Sequence, residues 1–244
     1  MISSLLARLK HLRFFQLTIF FIFVLLTLPF RTEHPFFNIV IQLLLFNSLV
    51  VTLSASGSSR TLRWLLVLFW TLGEGLHLRG LFILGPGSHL LNVSLVVTCF
   101  MLMMAVCVGA ILLFIFKTHR VTLDTIFAAL MAYFFISSIF ANIYSLLYLM
   151  DPNSFNLPPA IGRDQFYAVY TEMIYFSLIT VVGAGYGDIV PLLPFPRLLA
   201  AMEAVLGHFY VAVFVAWLVG TFISQSIQQE EKQAPEVPKE PMND

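Results

Sequence analysis

Three glycines in the C-terminal half of the chain alternate with other residues in a way that suits the binding of a cation. Gly183, Gly185 and Gly187 share one parity, and Ala184 and Tyr186 share the other. Glycine tolerates positive φ without steric cost, so a backbone that alternates in handedness can turn successive carbonyl oxygens to one side. A row of such oxygens can replace the hydration shell of an ion. The spacing of the glycines is therefore compatible with a backbone of this kind over 183–187.

The surrounding stretch, 175–191, reads YFSLITVVGAGYGDIVP and resembles the pore signature of the potassium-channel family. Its GYGD run, 185–188, follows a short apolar segment and lies between two long ones. The resemblance implies passive K⁺ conduction, and K⁺ would bind the carbonyls of Gly183, Ala184, Gly185, Tyr186 and Gly187. It also implies that Thr180, on a pore helix, and Asp188, at the outer mouth, support this filter. One loop per chain cannot encircle an ion, so a homotetramer is expected.

The sequence departs from the family pattern at the inner end of the filter. The usual Thr-Thr-Val is replaced by Val182-Gly183-Ala184. Gly183 lacks the hydroxyl that resembling channels use at the innermost ion site, and Ala184 shortens the side chain behind the ribbon. We expect a weakened inner site that still prefers K⁺. The alternatives are a weakly selective cation channel of the same architecture, or a non-conducting membrane sensor or accessory subunit.

The composition predicts a membrane protein. Hydrophobic residues make up 59% of the 244 residues and charged residues 11%, and the mean hydropathy is +0.90. A helix needs about 20 apolar residues to cross a bilayer core. We predict an all-α membrane protein with six transmembrane helices, a re-entrant pore helix and a selectivity filter. The six long apolar segments are roughly 14–30, 36–54, 62–84, 90–116, 124–150 and 197–225, and the short one is 165–180.

Local signals define some helix ends and the topology. Thr122 and Asp124 suit the start of the fifth helix, Asp151-Pro152-Asn153 its end, and Asp164 a cap of the pore helix. Arginine and lysine concentrate in alternate connections, which predicts a multi-pass protein of the cell membrane with both termini in the cytoplasm. We divide the chain into a peripheral four-helix bundle (1–119), a pore domain (120–228) and a disordered cytoplasmic tail (229–244).

Several residues of the sixth helix invite functional interpretations. Glu203 is an ionisable residue inside a membrane segment, and we expect it to support the filter through a pore-helix hydroxyl such as that of Ser177 or Thr180. Gly207 has the spacing from Asp188 of the gating-hinge glycine in resembling channels. His208 is interpreted as a buried neutral histidine. The fourth segment contains no arginine or lysine, which predicts weak or no voltage dependence.

Other classes of function find little support in the sequence. Cys99 and Cys107 lie in an apolar segment and are interpreted as packing residues. The helices show no His/Glu metal cluster, Ser/His pair or paired carboxylates, so we expect no enzyme and no cofactor beyond the transported K⁺. The net charge of zero offers no basic patch for nucleic acid. The expected partners are further copies of the chain, K⁺ and membrane lipid.

Overall fold

The computed structural model describes residues 13–27, 60–82, 89–118, 121–158, 161 and 165–233. The predicted second segment, 36–54, and the predicted cap Asp164 lie outside these residues. In this part of the chain the fold is all-helical, with a 3₁₀ turn at Pro152–Ser154. The helices are α1 (Arg13–Thr27), α2 (Arg60–Phe82), α3 (His89–Lys117), α4 (Leu123–Met150), α5 (Phe166–Val182) and α6 (Pro194–Gln233).

Helix α4 is the centre of the described fold. It packs against α1, α3, α5 and α6, and α2 packs against α3. One apolar core joins the first four helices with Phe214 of α6 and includes Phe14, Leu66, Ile111 and Ala132. Cys99 and Cys107 are both buried, and Cys107 belongs to this core, which agrees with their interpretation as packing residues.

The start of α4 follows the predicted signals. Thr122 caps the helix, and its side chain and that of Thr125 form a reciprocal capping box. Asp124 lies in the first turn, where the helix dipole favours negative charge. Its carboxylate also accepts the backbone N–H of Phe14 at 2.8 Å, so the same residue holds the beginning of α1 against α4.

A second core attaches the short helix α5 to α4. Tyr144 of α4, Phe155 of the following loop and Phe176 of α5 lie edge to face, with ring centroids 5.2 to 5.5 Å apart. Aromatic pairs of this geometry are favourable beyond the area that they bury. The loop after α4 and the helix that precedes the glycine-rich segment are therefore packed as one unit.

Three described helical segments are long and apolar enough to cross a membrane, namely Leu91–Lys117, Leu123–Met150 and Pro194–Phe214. The described part of α1 is shorter. Helix α2 is not among these three described segments. The six-span layout thus stays a prediction.

Helix α6 is longer than the sequence predicted. It begins at Pro194, where a proline suits the first turn because its missing N–H has no helical partner to lose. It continues to Gln233, through glutamine, glutamate and lysine residues that have good helix propensity. Residues 229–233 of the predicted disordered tail are therefore helical, and 234–244 lie outside the described residues.

Candidate functional site: the loop after helix α5

Helix α5 ends where the glycine-rich segment begins. Gly183 is its C-cap, with φ of 80°, and the Gly183 N–H donates to the carbonyls of Ile179 and Thr180. The Ala184 N–H also donates to Ile179, at 2.9 Å. A left-handed glycine is the common way to end a helix and satisfy its last carbonyls. The first glycine of the segment thus also terminates the helix.

The backbone beyond this cap alternates as the sequence predicted. Gly183, Gly185 and Gly187 have φ of 80°, 54° and 80°, and across the described chain positive φ is confined to these three glycines. All residues from 183 to 188 are exposed in the single chain. Glycine at these three positions therefore allows a positive φ, which would be sterically strained for a residue with a side chain.

Tyr175 and Asp188 connect α5 to the C-terminal end of this segment. The tyrosine hydroxyl donates to the Asp188 carboxylate at 2.6 Å. This hydrogen bond lowers the pKa of Asp188 below its ordinary value of 3.8, and the backbone N–H of Ile189, 3.0 Å away, acts in the same direction. Asp188 is therefore an anion over the whole neutral range.

Asn156 forms hydrogen bonds with the backbone of the same turn. Its side-chain amide donates to the carbonyl of Asp188 at 3.2 Å and accepts the N–H of Val190 at 2.5 Å. Next to it, Phe155 and Pro191 form an isolated antiparallel bridge. The loop after α4 therefore holds the chain directly after the glycine-rich segment.

Glu203 of α6 lies behind the segment in a fully buried hydrogen-bond network. Its carboxylate accepts from the Tyr144 hydroxyl at 2.7 Å and from the Ser177 hydroxyl. Ser177 also lies 2.7 Å from the carbonyl of Ser137, and the two serine hydroxyls are 2.9 Å apart. Buried polar groups are costly unless they are paired, so this network fixes α4, α5 and α6 relative to one another.

The C-terminal end of α5 is held by contacts from α4 and α6. The Tyr133 hydroxyl donates to the carbonyl of Val181 at 2.8 Å. On the other side Gly207 packs so closely that an added Cβ would lie 2.0 Å from the same carbonyl oxygen. A helix end leaves carbonyls without helical partners, and the tyrosine supplies one donor.

His208 lies beside the first glycine of the segment. A Cβ built on Gly183 would lie 2.6 Å from Cε1 of the imidazole and 3.2 Å from its Nε2. The ring nitrogen Nδ1 is 2.8 Å from the Ala204 carbonyl. The side chain is exposed in the single chain, so the interpretation as a buried histidine does not hold there.

The structure brings the predicted site residues into one region. Of the two expected partners, Glu203 contacts Ser177, while the backbone carbonyl of Thr180 receives the Gly183 N–H. Gly207 lies in close contact with α5. Its role as a gating hinge stays a prediction. Sequence reasoning missed four side chains that organise the site: Tyr133, Tyr144, Asn156 and Tyr175. The signal that could have found them was a polar side chain within an apolar helical segment or next to the stretch that resembles the pore signature.

Comparison with known proteins now identifies this region. Residues 100–224, just over half of the chain, match the family described as ion channel. The chain belongs to this ion-channel family. The matched part runs from α3 to α6 and contains the glycine-rich segment with all its contacts. Membership points to transport across a membrane without covalent chemistry, and it agrees with the apolar helices.

Two curated bacterial proteins are similar to part of this ion channel. Protein LctB of Geobacillus stearothermophilus is 31% identical over 98 residues, which cover 40% of this chain and 72% of the relative. Protein LctB of Bacillus caldotenax is 30% identical over the same length, with the same coverage. No solved structure matches the chain significantly.

Proposed function

We propose that this ion channel conducts K⁺ passively through a tetrameric pore, with the carbonyls of Gly183, Ala184, Gly185, Tyr186 and Gly187 as ion ligands. The observation that carries the proposal is the positive φ at every second residue of 183–187. Alternating handedness turns successive carbonyls in one direction, and carbonyl oxygens can take the place of water around K⁺. Selectivity for K⁺ over Na⁺ is proposed from the resemblance of the GYGD run, 185–188, to the potassium-channel signature.

The exposure of this segment supports assembly from four copies. Residues 183–188 are all exposed in the single chain, and irregular backbone at membrane depth is tolerated only inside protein or along a water-filled pore. Within one chain, 11% of the Pro194–Phe214 span is buried, against 50% of α4. A ring of identical copies would cover both surfaces, and cyclic symmetry would place the segment on the axis.

Supporting roles are proposed for three residues around the filter. Asp188, held by Tyr175 and Asn156, fixes the outer end of the ribbon. Glu203 supports α5 from behind through Ser177. Thr180 supports the inner end through its backbone carbonyl, which receives the Gly183 N–H.

The proposed membrane arrangement has six transmembrane helices, α5 as the re-entrant pore helix and both termini in the cytoplasm. It divides the chain into a peripheral bundle, 1–119, and a pore domain, 120–228, with membrane lipid around the bundle. Gly207 is the proposed gating hinge. No cofactor other than the transported ion is needed by this mechanism.

Ion flux through the purified protein in liposomes tests this function. We expect flux down a K⁺ gradient and much less down an equal Na⁺ gradient. Equal flux with both ions would replace the proposal by a weakly selective cation channel, for which Gly183 and Ala184 would be the reason. Absence of flux with either ion, in liposomes that retain folded protein, would favour a non-conducting sensor or accessory subunit.

A further inference from the structure

His208 has one ring nitrogen engaged and one available for a ligand. Nδ1 lies 2.8 Å from the carbonyl oxygen of Ala204, one turn earlier on α6. A carbonyl oxygen only accepts hydrogen bonds, so Nδ1 is the donor in this contact, and in the neutral tautomer that matches it Nε2 carries the lone pair. Metal-binding histidines are commonly oriented in this way, with the second nitrogen donating to a backbone carbonyl.

The ring also occupies a defined place at the inner end of the glycine-rich segment. It lies against the bare α-carbon of Gly183, where a Cβ would be 2.6 Å from Cε1. The imidazole thus takes the space of the side chain that Gly183 lacks. Because Gly183 begins the exposed segment, His208 lies at its inner rim and is itself exposed.

The depth of His208 fits this location. It follows Pro194, the first residue of α6, by 14 positions, or about 21 Å along the helix at 1.5 Å per residue. A bilayer core is about 30 Å thick, so the imidazole lies well inside the membrane. In the proposed arrangement it lies between the filter and the side on which α6 ends.

We propose that the His208 side chains of the four copies form a ring at the inner end of the filter that binds one divalent transition-metal ion and thereby blocks conduction. The proposal rests on the tetrameric pore proposed above. Imidazole nitrogen suits Ni²⁺, Cu²⁺ and Zn²⁺, whereas Mg²⁺ and Ca²⁺ prefer oxygen ligands. Within one chain the described residues contain no cluster of three or more His, Cys, Asp or Glu side chains. In the proposed ring, the further ligands of the metal ion are the His208 side chains of the other copies.

Ni²⁺ block of K⁺ current in planar bilayers tests this site, with the full-length protein and Ni²⁺ added to either side. We expect block from the side on which α6 ends. In His208→Gln the half-blocking concentration should rise by at least about tenfold, since loss of a partner that merely orients a ligand already weakens metal binding 10- to 100-fold. For each variant, the current in the presence of Ni²⁺ is compared with the current of the same variant without Ni²⁺.

His89→Gln is the matched control, because it removes another histidine, at the start of α3, and keeps His208. It should be blocked like the unmodified protein. Equal block of the unmodified protein and His208→Gln would overturn the site. So would block that is lost in His89→Gln but kept in His208→Gln.

Calorimetric titration of the detergent-solubilised protein with Ni²⁺ separates this proposal from the proposed function. We expect one Ni²⁺ per four chains and loss of that binding in His208→Gln. Absence of K⁺ current before metal is added would contradict the conduction proposal alone, and the titration would still decide the metal site. Binding of one ion per chain, or binding that His208→Gln leaves unchanged, would overturn the histidine ring.

Discussion

Gly207 faces the carbonyl oxygen of Val181 so closely that a Cβ at this position would lie 2.0 Å from it. Helix α6 therefore passes the end of α5 at a distance that only glycine allows. The same carbonyl receives the Tyr133 hydroxyl from α4 at 2.8 Å. The end of α5 is thus fixed by α4 and α6, which links the position of the glycine-rich segment to these two helices.

Gly207→Ala should destabilise the protein. Overpacking a well-packed site typically costs about 1–3 kcal/mol, and here the obstacle is backbone, which a side-chain rotation cannot relieve. Thermal unfolding of the purified protein in detergent measures the loss. Gly220→Ala is the matched control on the same helix, because no described atom outside the local helix backbone lies within 4 Å of its Cβ. Equal unfolding temperatures for the two variants would contradict the close contact.

The close contact of Gly207 with α5 affects any test of the hinge by substitution of this residue. An altered open probability in Gly207→Ala could arise from displacement of α5 rather than from a stiffer helix. If Gly207→Ala lowers the unfolding temperature as expected, altered gating is assigned to the displaced α5 and not to a hinge. Unchanged open probability in Gly207→Ala would remove the hinge from the proposal.

Tyr144→Phe should weaken the attachment of α6 more than a tyrosine change elsewhere on α4. It leaves a buried oxygen of Glu203 without its donor, which costs about 1–3 kcal/mol. Tyr148→Phe is the control, since its hydroxyl donates to the Ile161 carbonyl at 3.1 Å, outside the Glu203 network. Chemical unfolding in detergent should separate the two variants, and equal losses would show that the network adds nothing special.

Glu203→Gln tests whether the same network supports conduction. The amide keeps the size of the side chain but replaces one acceptor oxygen by a donor group, which mismatches either the Tyr144 or the Ser177 hydroxyl. We expect reduced K⁺ flux in liposomes at equal protein content. Ser177→Ala should reduce flux in the same direction, because it removes the α5 partner of Glu203. Unaltered flux in both variants would confine the network to folding.

Tyr175→Phe should make the outer mouth more sensitive to acid. The Tyr175 hydrogen bond lowers the pKa of Asp188 below 3.8, so its contribution is complete above that value and is lost as the pH falls through the lowered pKa. Without the hydroxyl the carboxylate protonates at higher pH, and acid inhibition of K⁺ current should begin at higher pH.

Glu172→Gln is the control for this pH dependence. Glu172 is the neighbouring carboxyl on α5 that interacts electrostatically with Asp188. If Tyr175→Phe and the unmodified protein show the same acid inhibition while Glu172→Gln shifts it, the pH response belongs to Glu172 instead.

Currents should depend weakly on membrane voltage. Helix α3 carries its one lysine, Lys117, in the last turn and has no arginine. Moving one charge through 100 mV is worth about 2.3 kcal/mol, so a helix without charges in its interior gives the field little to act on. Open probability measured in bilayers between negative and positive voltages should change little, and a steep change would require charges elsewhere in the chain.

The sequence by itself determined the parts of the protein that depend on local patterns. The apolar composition predicted membrane helices, Thr122 predicted the start of α4, and the parity of Gly183, Gly185 and Gly187 predicted the alternating backbone. Each of these signals acts over a few residues, because capping and positive φ are local properties. The bounds of α6 were less accurate, since proline at its start and polar residues at its end are both compatible with helix.

Only the tertiary structure decided which distant side chains meet. Tyr144 and Glu203 lie 59 positions apart, and Tyr133 and Val181 lie 48 apart, yet both pairs are hydrogen-bonded. The spatial place of His208 beside Gly183 and the need for glycine at 207 arise from the way α6 crosses α5. Contacts of this kind depend on how helices pack, and the periodicity of a single helix does not contain that information.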